Sequence, residues 1–154
     1  MAISTCCVYI FKYLHINSVD ESIRCHNIAK GALACGIACC ILGVGTAAVS
    51  IEWHMNFHLC LAGLLFELAL ASMCLLCLID KWQGIECNKT AIQLRRILLM
   101  TFITANITLA LSLQNYSKVG SISELIMAVS YCLFMTTFLS DLKGYHLRIS
   151  FQTK

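Results

Sequence analysis

The chain has 154 residues, of which 59% are hydrophobic and 12% are charged. Soluble domains carry about twice this charged fraction, so the composition indicates an integral membrane protein and excludes an ordinary soluble domain. The net charge of +3 comes from basic residues scattered outside the apolar runs. This distribution excludes a basic nucleic-acid-binding surface, and no nucleic-acid partner is expected.

The chain opens with an apolar stretch, residues 1–16, that is interrupted by Lys12 and His15. A helix needs about 20 apolar residues to cross a bilayer, so this stretch is too short to span. It also lacks the basic start and small-residue cleavage site of a signal peptide. We therefore assign residues 1–30 to an amino-terminal segment that contains an apolar helix.

Four longer apolar runs follow, and each is long enough to cross a membrane. The connections between them are short, which favours antiparallel packing of neighbouring spans. The sequence predicts an all-α, multi-pass transmembrane bundle of about four spans within residues 31–139, followed by a tail at 140–154. The predicted spans are residues 31–50, 57–79, 97–113 and 122–139.

The basic residues are distributed asymmetrically between the spans. Residues 80–96 contain four of them, residues 51–56 none and residues 114–121 one. The positive-inside rule then places both termini and the 80–96 loop in the cytoplasm. This predicted basic loop is a candidate surface for cytoplasmic protein partners or anionic lipid. Its basic residues are Lys81, Lys89, Arg95 and Arg96.

The chain contains eleven cysteines, but six of them lie inside apolar runs, where cysteine behaves as a small hydrophobic residue. We predict no disulfide framework, no metal site and no cofactor. Cys6 and Cys7 are expected on the cytoplasmic side next to the membrane, which makes them candidates for S-palmitoylation.

Small residues recur at helical spacing in the first two spans and favour close helix approach in lipid. We expect these faces to pack against each other, although they could also reflect helices that are simply rich in alanine and cysteine. In the first span the face contains Ala32, Gly36, Cys40 and Gly43, and in the second it contains Gly63 and Glu67.

Glu67 is the most unusual residue, because a carboxylate near the bilayer centre costs a few kcal/mol. It could bind a proton or cation in a pathway, or it could be protonated and hydrogen-bonded to a neighbouring helix, with Asn106 or the threonines of the third span as partner. His58 and Glu124 lie near the predicted luminal span ends. They are either titrated by an acidic compartment or solvated at the interface.

No nucleophilic triad, paired-carboxylate site or phosphate loop occurs in the sequence, so we expect a protein that is not an enzyme.

Several short motifs, in order along residues 9–154, resemble the damage-regulated autophagy modulator (DRAM) family of the Frag1/DRAM/Sfk1 group. The likeness lies in residues 8–13, 27–31, 63–66 and 94–99, in His58, and in Ser123-Glu124 followed by Phe134, Thr137-Phe138, Asp141 and residues 147–150.

Three positions depart from the family pattern: Ala48-Val49-Ser50 replaces an Asn-Phe-Gln ending, Leu125 replaces a tryptophan, and Glu67 replaces an uncharged residue. Family members have six spans, so this chain is expected to lack the first span and most of the second. The apolar amino-terminal helix would then be a remnant that lies along the interface or is buried against a partner.

The resemblance implies a non-enzymatic multi-pass protein of lysosomal or other endomembranes that modulates autophagy and apoptosis. Two alternatives stay open at this point. Related branches of the group act in glycolipid-anchor (GPI) remodelling and phosphoinositide regulation, which suggests a lipid-handling accessory. Glu67 suggests a proton-linked carrier or channel. Partners are expected to include the bilayer, cytoplasmic proteins, and further copies of the chain or other family members.

Overall fold

The computed structural model describes residues 2–19, 23–49, 51–83, 89–112 and 118–142. Every element in these ranges is an α-helix, which confirms the predicted fold class. The predicted tail lies outside the described residues from position 143 onward. The helices are α1 (Ala2–Val19), α2 (Ile23–Ala48), α3 (Ile51–Gln83), α4 (Lys89–Ser112) and α5 (Lys118–Leu142).

Four of these helices are long and apolar enough to cross a membrane, which confirms the predicted multi-pass architecture. They extend beyond the apolar runs of the sequence, because polar residues near their ends remain helical. The candidate spans are Cys25–Ala48, His54–Lys81, Lys89–Ser112 and Lys118–Phe138.

The amino-terminal helix α1 packs along α2 rather than lying across the end of the bundle. Its residues Val8 and Tyr9 are buried in the common core. The Tyr9 ring lies directly against Gly36 of α2, where any Cβ atom would overlap it. Glycine at position 36 therefore permits the close approach of the two helices.

The helices form two groups: α2 packs mainly on α1 and α3, while α4 packs mainly on α5. Large apolar side chains from both groups fill the core between them, including Met73, Leu76, Phe102 and Phe134. Phe66 meets Phe102 edge to face across the α3–α4 boundary, with 6.3 Å between ring centroids. Burial of these side chains holds the two groups together at mid-bundle.

The first two spans do pack together, but through different faces from those expected. Ala32 and Gly36 are buried in the part of α2 that packs on α1, whereas Gly63 of α3 is exposed. The α2–α3 contact instead pairs small residues with leucines. At Gly31, for example, an added Cβ atom would lie 3.5 Å from a methyl group of Leu75. The extra helix α1 occupies the face that the sequence assigned to α3.

Candidate functional site: a buried charged cluster

Asp80 lies near the end of α3 and holds two basic side chains from other helices. Its Oδ2 atom accepts a hydrogen bond from Arg95 Nη1 of α4 at 2.8 Å, and its Oδ1 atom lies 3.3 Å from Lys12 Nζ of α1. Relative exposure of the side chains is 2% for Asp80, 1% for Arg95 and 10% for Lys12. Charges this deeply buried require partners, and here the partners are each other.

Arg95 also joins α5 to the cluster, through the Nε and Nη2 atoms of its guanidinium group. Its Nε atom donates to the Thr137 hydroxyl at 2.9 Å, and its Nη2 atom donates to the Thr137 backbone carbonyl at 3.1 Å. The Thr137 hydroxyl in turn donates to the carbonyl of Phe134 at 2.7 Å. One planar side chain thus links α3, α4 and α5.

An aromatic ring of α5 covers the two cations. The guanidinium carbon of Arg95 lies 3.7 Å from the Phe138 ring centroid, and Lys12 Nζ lies 5.6 Å from the same centroid. Both distances permit cation–π attraction, which is stronger where water is excluded. Phe138 is itself held edge to face by Phe134, with centroids 5.5 Å apart.

The cluster joins four of the five described helices at one end of the bundle. Removing one member of a buried ion pair leaves the other charge uncompensated, at a cost of about 3–5 kcal/mol. The arrangement therefore fixes how α1, α3, α4 and α5 sit relative to one another. Its carboxylate and two cations bond groups on different helices and so hold these helices together.

The burial of Arg95 separates it from the other members of the predicted basic loop. Lys81, Lys89 and Arg96 are exposed, whereas Arg95 is fully enclosed by protein. The loop itself is shorter than expected, because α3 continues to Gln83 and α4 begins at Lys89. Arg95 is therefore not part of any exposed basic surface.

A second polar group lies deeper in the bundle and also ties α1 to the other helices. The Tyr9 hydroxyl donates to Ser72 Oγ of α3 at 2.6 Å and lies 3.3 Å from the Tyr131 hydroxyl of α5. The Ser72 hydroxyl in turn donates a hydrogen bond to the backbone carbonyl of Ala69 at 2.8 Å. The amino-terminal helix thus contributes polar contacts at two depths, through Tyr9 and Lys12.

An apolar cleft of about 400 Å³ opens beside this hydroxyl group, between α2, α3 and α5. Its volume is within the range of small-molecule sites in proteins. Cys40 and Gly43, which the sequence assigned to helix packing, line it instead. The other lining residues are Cys39, Val44, Ala47, Leu65, Phe66, Ala69, Ala128 and Tyr131.

Glu67 takes one of the partners that the sequence proposed for it. Asn106 Nδ2 of α4 donates to Glu67 Oε1 at 3.0 Å, so the amide rather than a threonine is the partner. Thr101, Thr104 and Thr108 instead bond carbonyls one turn back in their own helix. Glu67 is exposed on the outer surface of α3 and does not line the apolar cleft.

His58 and Glu124 lie at the opposite end of the bundle from Asp80. His58 is half-buried, and its Nδ1 atom donates to the carbonyl of Val49 at 2.9 Å, across the α2–α3 connection. Because a carbonyl oxygen only accepts, the hydrogen bond places a proton on Nδ1. Glu124 is half-buried near the start of α5.

The two amino-terminal cysteines lie away from the end of the bundle that carries Asp80. Cys6 contacts Cys40 in the second half of α2. Lys12 contacts Asp80, and Cys6 lies six residues before Lys12 on α1. Cys6 is therefore about 9 Å of helix further from Asp80. The S-palmitoylation of Cys6 and Cys7 stays a prediction.

Sequence reasoning missed the partnership of Lys12, Asp80 and Thr137. Lys12 and Asp80 each interrupt or terminate an apolar run, and both looked like ordinary boundary charges. The sequence did contain one indication of the pairing: the two residues have opposite charges and lie at similar distances from the ends of apolar runs. That pattern does not determine which of several cations a carboxylate will meet. Within the part of the chain that the structure describes, no group of three or more His, Cys, Asp or Glu side chains is placed to hold a metal ion.

The fold and this cluster define a helical, multi-pass membrane protein. The family model of the Frag1/DRAM/Sfk1/Cwh43P N-terminal domain matches residues 1–145. The chain therefore belongs to the Frag1/DRAM/Sfk1 family. No curated protein and no solved structure shows significant similarity to it.

Proposed function

We propose that this protein is a non-enzymatic, multi-pass protein of an endomembrane, specifically the lysosome, that modulates autophagy and apoptosis. The family match over residues 1–145 supports this proposal, since the matched family includes the autophagy-modulating DRAM branch. The buried charged cluster supports a non-enzymatic role, because its groups are used to join helices.

In this proposal the end of the bundle that carries Asp80 faces the cytoplasm, together with the carboxyl-terminal end of α5. The amino-terminal end of α1 does not reach this side, because Cys6 lies beside Cys40 in the second half of α2. The distribution of basic residues along the chain supports this orientation. The working surface at this end consists of Lys81, Lys89 and Arg96, which we call the basic rim. Each exposed cation contributes about 1 kcal/mol near anionic lipid, and the same charges can bind an acidic protein partner.

The observation that carries the proposal is the contrast between Arg95 and Arg96. Arg95 turns inward to Asp80, whereas its neighbour Arg96 is exposed with Lys81 and Lys89. The buried cluster thus supplies a rigid base for an exposed basic surface at the same end of the bundle. Together these two features favour a surface that recruits a partner.

The test is starvation-induced autophagic flux in knockout cells that re-express tagged variants. We expect replacement of all three basic-rim residues by alanine to abolish rescue while leaving the protein in its membrane. Lys118→Ala, which removes an exposed cation at the other end of the bundle, should rescue fully. Unchanged flux in the knockout, or full rescue by the triple variant, would contradict the proposal.

The apolar cleft favours a second candidate function, as an accessory protein in lipid handling. The cleft is lined by apolar side chains and opens within the membrane-spanning part of the bundle, so a lipid acyl chain is its natural occupant. Gly43→Leu would fill it, since a Cβ atom at Gly43 meets nothing within 4 Å. If this function is the primary one, Gly43→Leu changes membrane glycolipid composition before it changes flux.

A further inference from the structure

The Glu67–Asn106 pair faces outward from the middle of the bundle. Glu67 lies midway along the candidate span His54–Lys81, about 20 Å of helix from Asp80. Its immediate surroundings are apolar and exposed: Leu64 has a relative exposure of 56% and Ile107 of 58%. This places a carboxyl and an amide at the depth of the lipid hydrocarbon.

One hydrogen bond does not satisfy these two groups. Asn106 is the one hydrogen-bond partner of Glu67 among the described residues. Among the same residues, the second carboxyl oxygen, the amide carbonyl and the second amide hydrogen have no hydrogen-bond partner. In hydrocarbon no water can meet them, so each favours a polar partner from another membrane-embedded helix.

The surface around the pair permits the backbone of another helix to come close. Gly63 and Ala71 lie one turn on either side of Glu67 on the same face of α3, and both are exposed. A Cβ atom at Gly63 would meet nothing within 4 Å. Without a hydrophobic force between helices in lipid, close approach and interhelical hydrogen bonds are what drive association.

We propose that this surface binds a second copy of the chain through a two-fold axis along the membrane normal. Glu67 and Asn106 are hydrogen-bonded and so lie at one depth, and such an axis brings the two pairs together at that depth. The pair is self-complementary, because the amide both donates and accepts. Asn106 then donates its second hydrogen to the Glu67 carboxyl of the second copy, and the reverse bond forms by symmetry.

Other occupants fit this surface less well. A lipid headgroup stays at the interface, far from the middle of α3. An acyl chain offers no hydrogen bond. A different membrane protein would need a matching donor and acceptor at the same depth, whereas a second copy supplies them by symmetry. The inference does not depend on the proposed role in autophagy.

The test uses the full chain in liposomes, with donor-tagged and acceptor-tagged copies and energy transfer between them. We expect the wild type to self-associate. The double variant Glu67→Leu with Asn106→Leu should associate about tenfold more weakly, because two interhelical hydrogen bonds are lost. Glu67→Gln should retain association, since the amide can make the same contacts. A monomeric wild type, or equal association of the Leu double variant, would overturn the proposal.

A second measurement keeps the result independent of folding. A photo-cross-linking residue at Leu64, beside the pair, should give cross-linked dimers. The same residue at Ile41, which has 67% exposure on α2, should not. Cross-links from position 64 to a different protein, or dimers from position 41 alone, would contradict self-association through this surface.

Discussion

Two sites of this protein that contain a carboxyl group differ in what surrounds them. Asp80 is enclosed by protein and pairs with Arg95 and Lys12, while Glu67 faces outward and pairs with a single amide. The first site has enough partners within one chain to remain buried. The second has too few, which favours a partner outside the chain. On the proposed account, the number of satisfied hydrogen bonds, rather than the presence of a carboxyl group, separates a structural site from an interaction surface.

The largest expected effect comes from breaking the buried site. Asp80→Ala leaves Arg95 and Lys12 buried without their carboxylate, so we expect the free energy of unfolding to fall by about 3–5 kcal/mol. Reversible unfolding in mixed micelles measures this change. The matched control is Lys81→Ala at the exposed neighbouring position, which should stay within about 0.5 kcal/mol of wild type. Similar losses for both variants would contradict the assignment.

A smaller effect is expected where α1 packs on α2. Gly36→Ala adds a methyl group that overlaps the Tyr9 ring, so the ring must move and its bond to Ser72 is strained. We expect a loss of about 1–3 kcal/mol in the same unfolding assay. Gly43→Ala is the control, because its Cβ atom meets nothing within 4 Å and alanine favours helix. Stabilisation at both positions would show that α1 is not packed in this way.

The hydroxyl group beside the cleft should contribute less again. Tyr9→Phe removes the hydrogen bond to Ser72 and the contact with Tyr131, and we expect a loss of about 1 kcal/mol. Ser72→Ala removes the same bond from the other side. The combined variant should therefore lose less than the sum of the two single losses, and strict additivity would count against the bond.

The smallest effect on folding should come from the outward-facing pair. Glu67→Leu replaces a polar side chain on the lipid-facing surface with an apolar one, so the unfolding free energy of the monomer should change by no more than about 0.5 kcal/mol. Unfolding at low protein-to-detergent ratio isolates the monomer. A loss as large as that of Asp80→Ala would show that Glu67 is a structural residue of the single chain.

The sequence was sufficient to predict the membrane-spanning helices. Runs of uncharged residues near 20 in length predict spans directly, because the bilayer sets the length that a helix must cover. The ends of α3 and α4 could not be predicted in the same way. Asp80 and Arg95 look like loop residues by composition, yet α3 continues to Gln83 and α4 already begins at Lys89.

The contacts of individual side chains were harder to predict from the sequence than the positions of the helices. Asn106 could be proposed for Glu67, because both lie inside spans and each needs a polar partner. The role of Gly36 could not be predicted, since a small residue on a helix does not specify which neighbour approaches it. The structure gives that position to Tyr9 of α1, a helix that the sequence placed outside the set of spans.

The most direct test of the distinction between the two sites is a pair of double-mutant cycles, one on Asp80 with Arg95 and one on Glu67 with Asn106. Both are measured by unfolding of the monomer in mixed micelles, with alanine at each position. We predict a coupling of about 1–3 kcal/mol for the buried pair and a smaller one for the outward-facing pair. Equal couplings, or additivity at Asp80 and Arg95, would contradict that distinction.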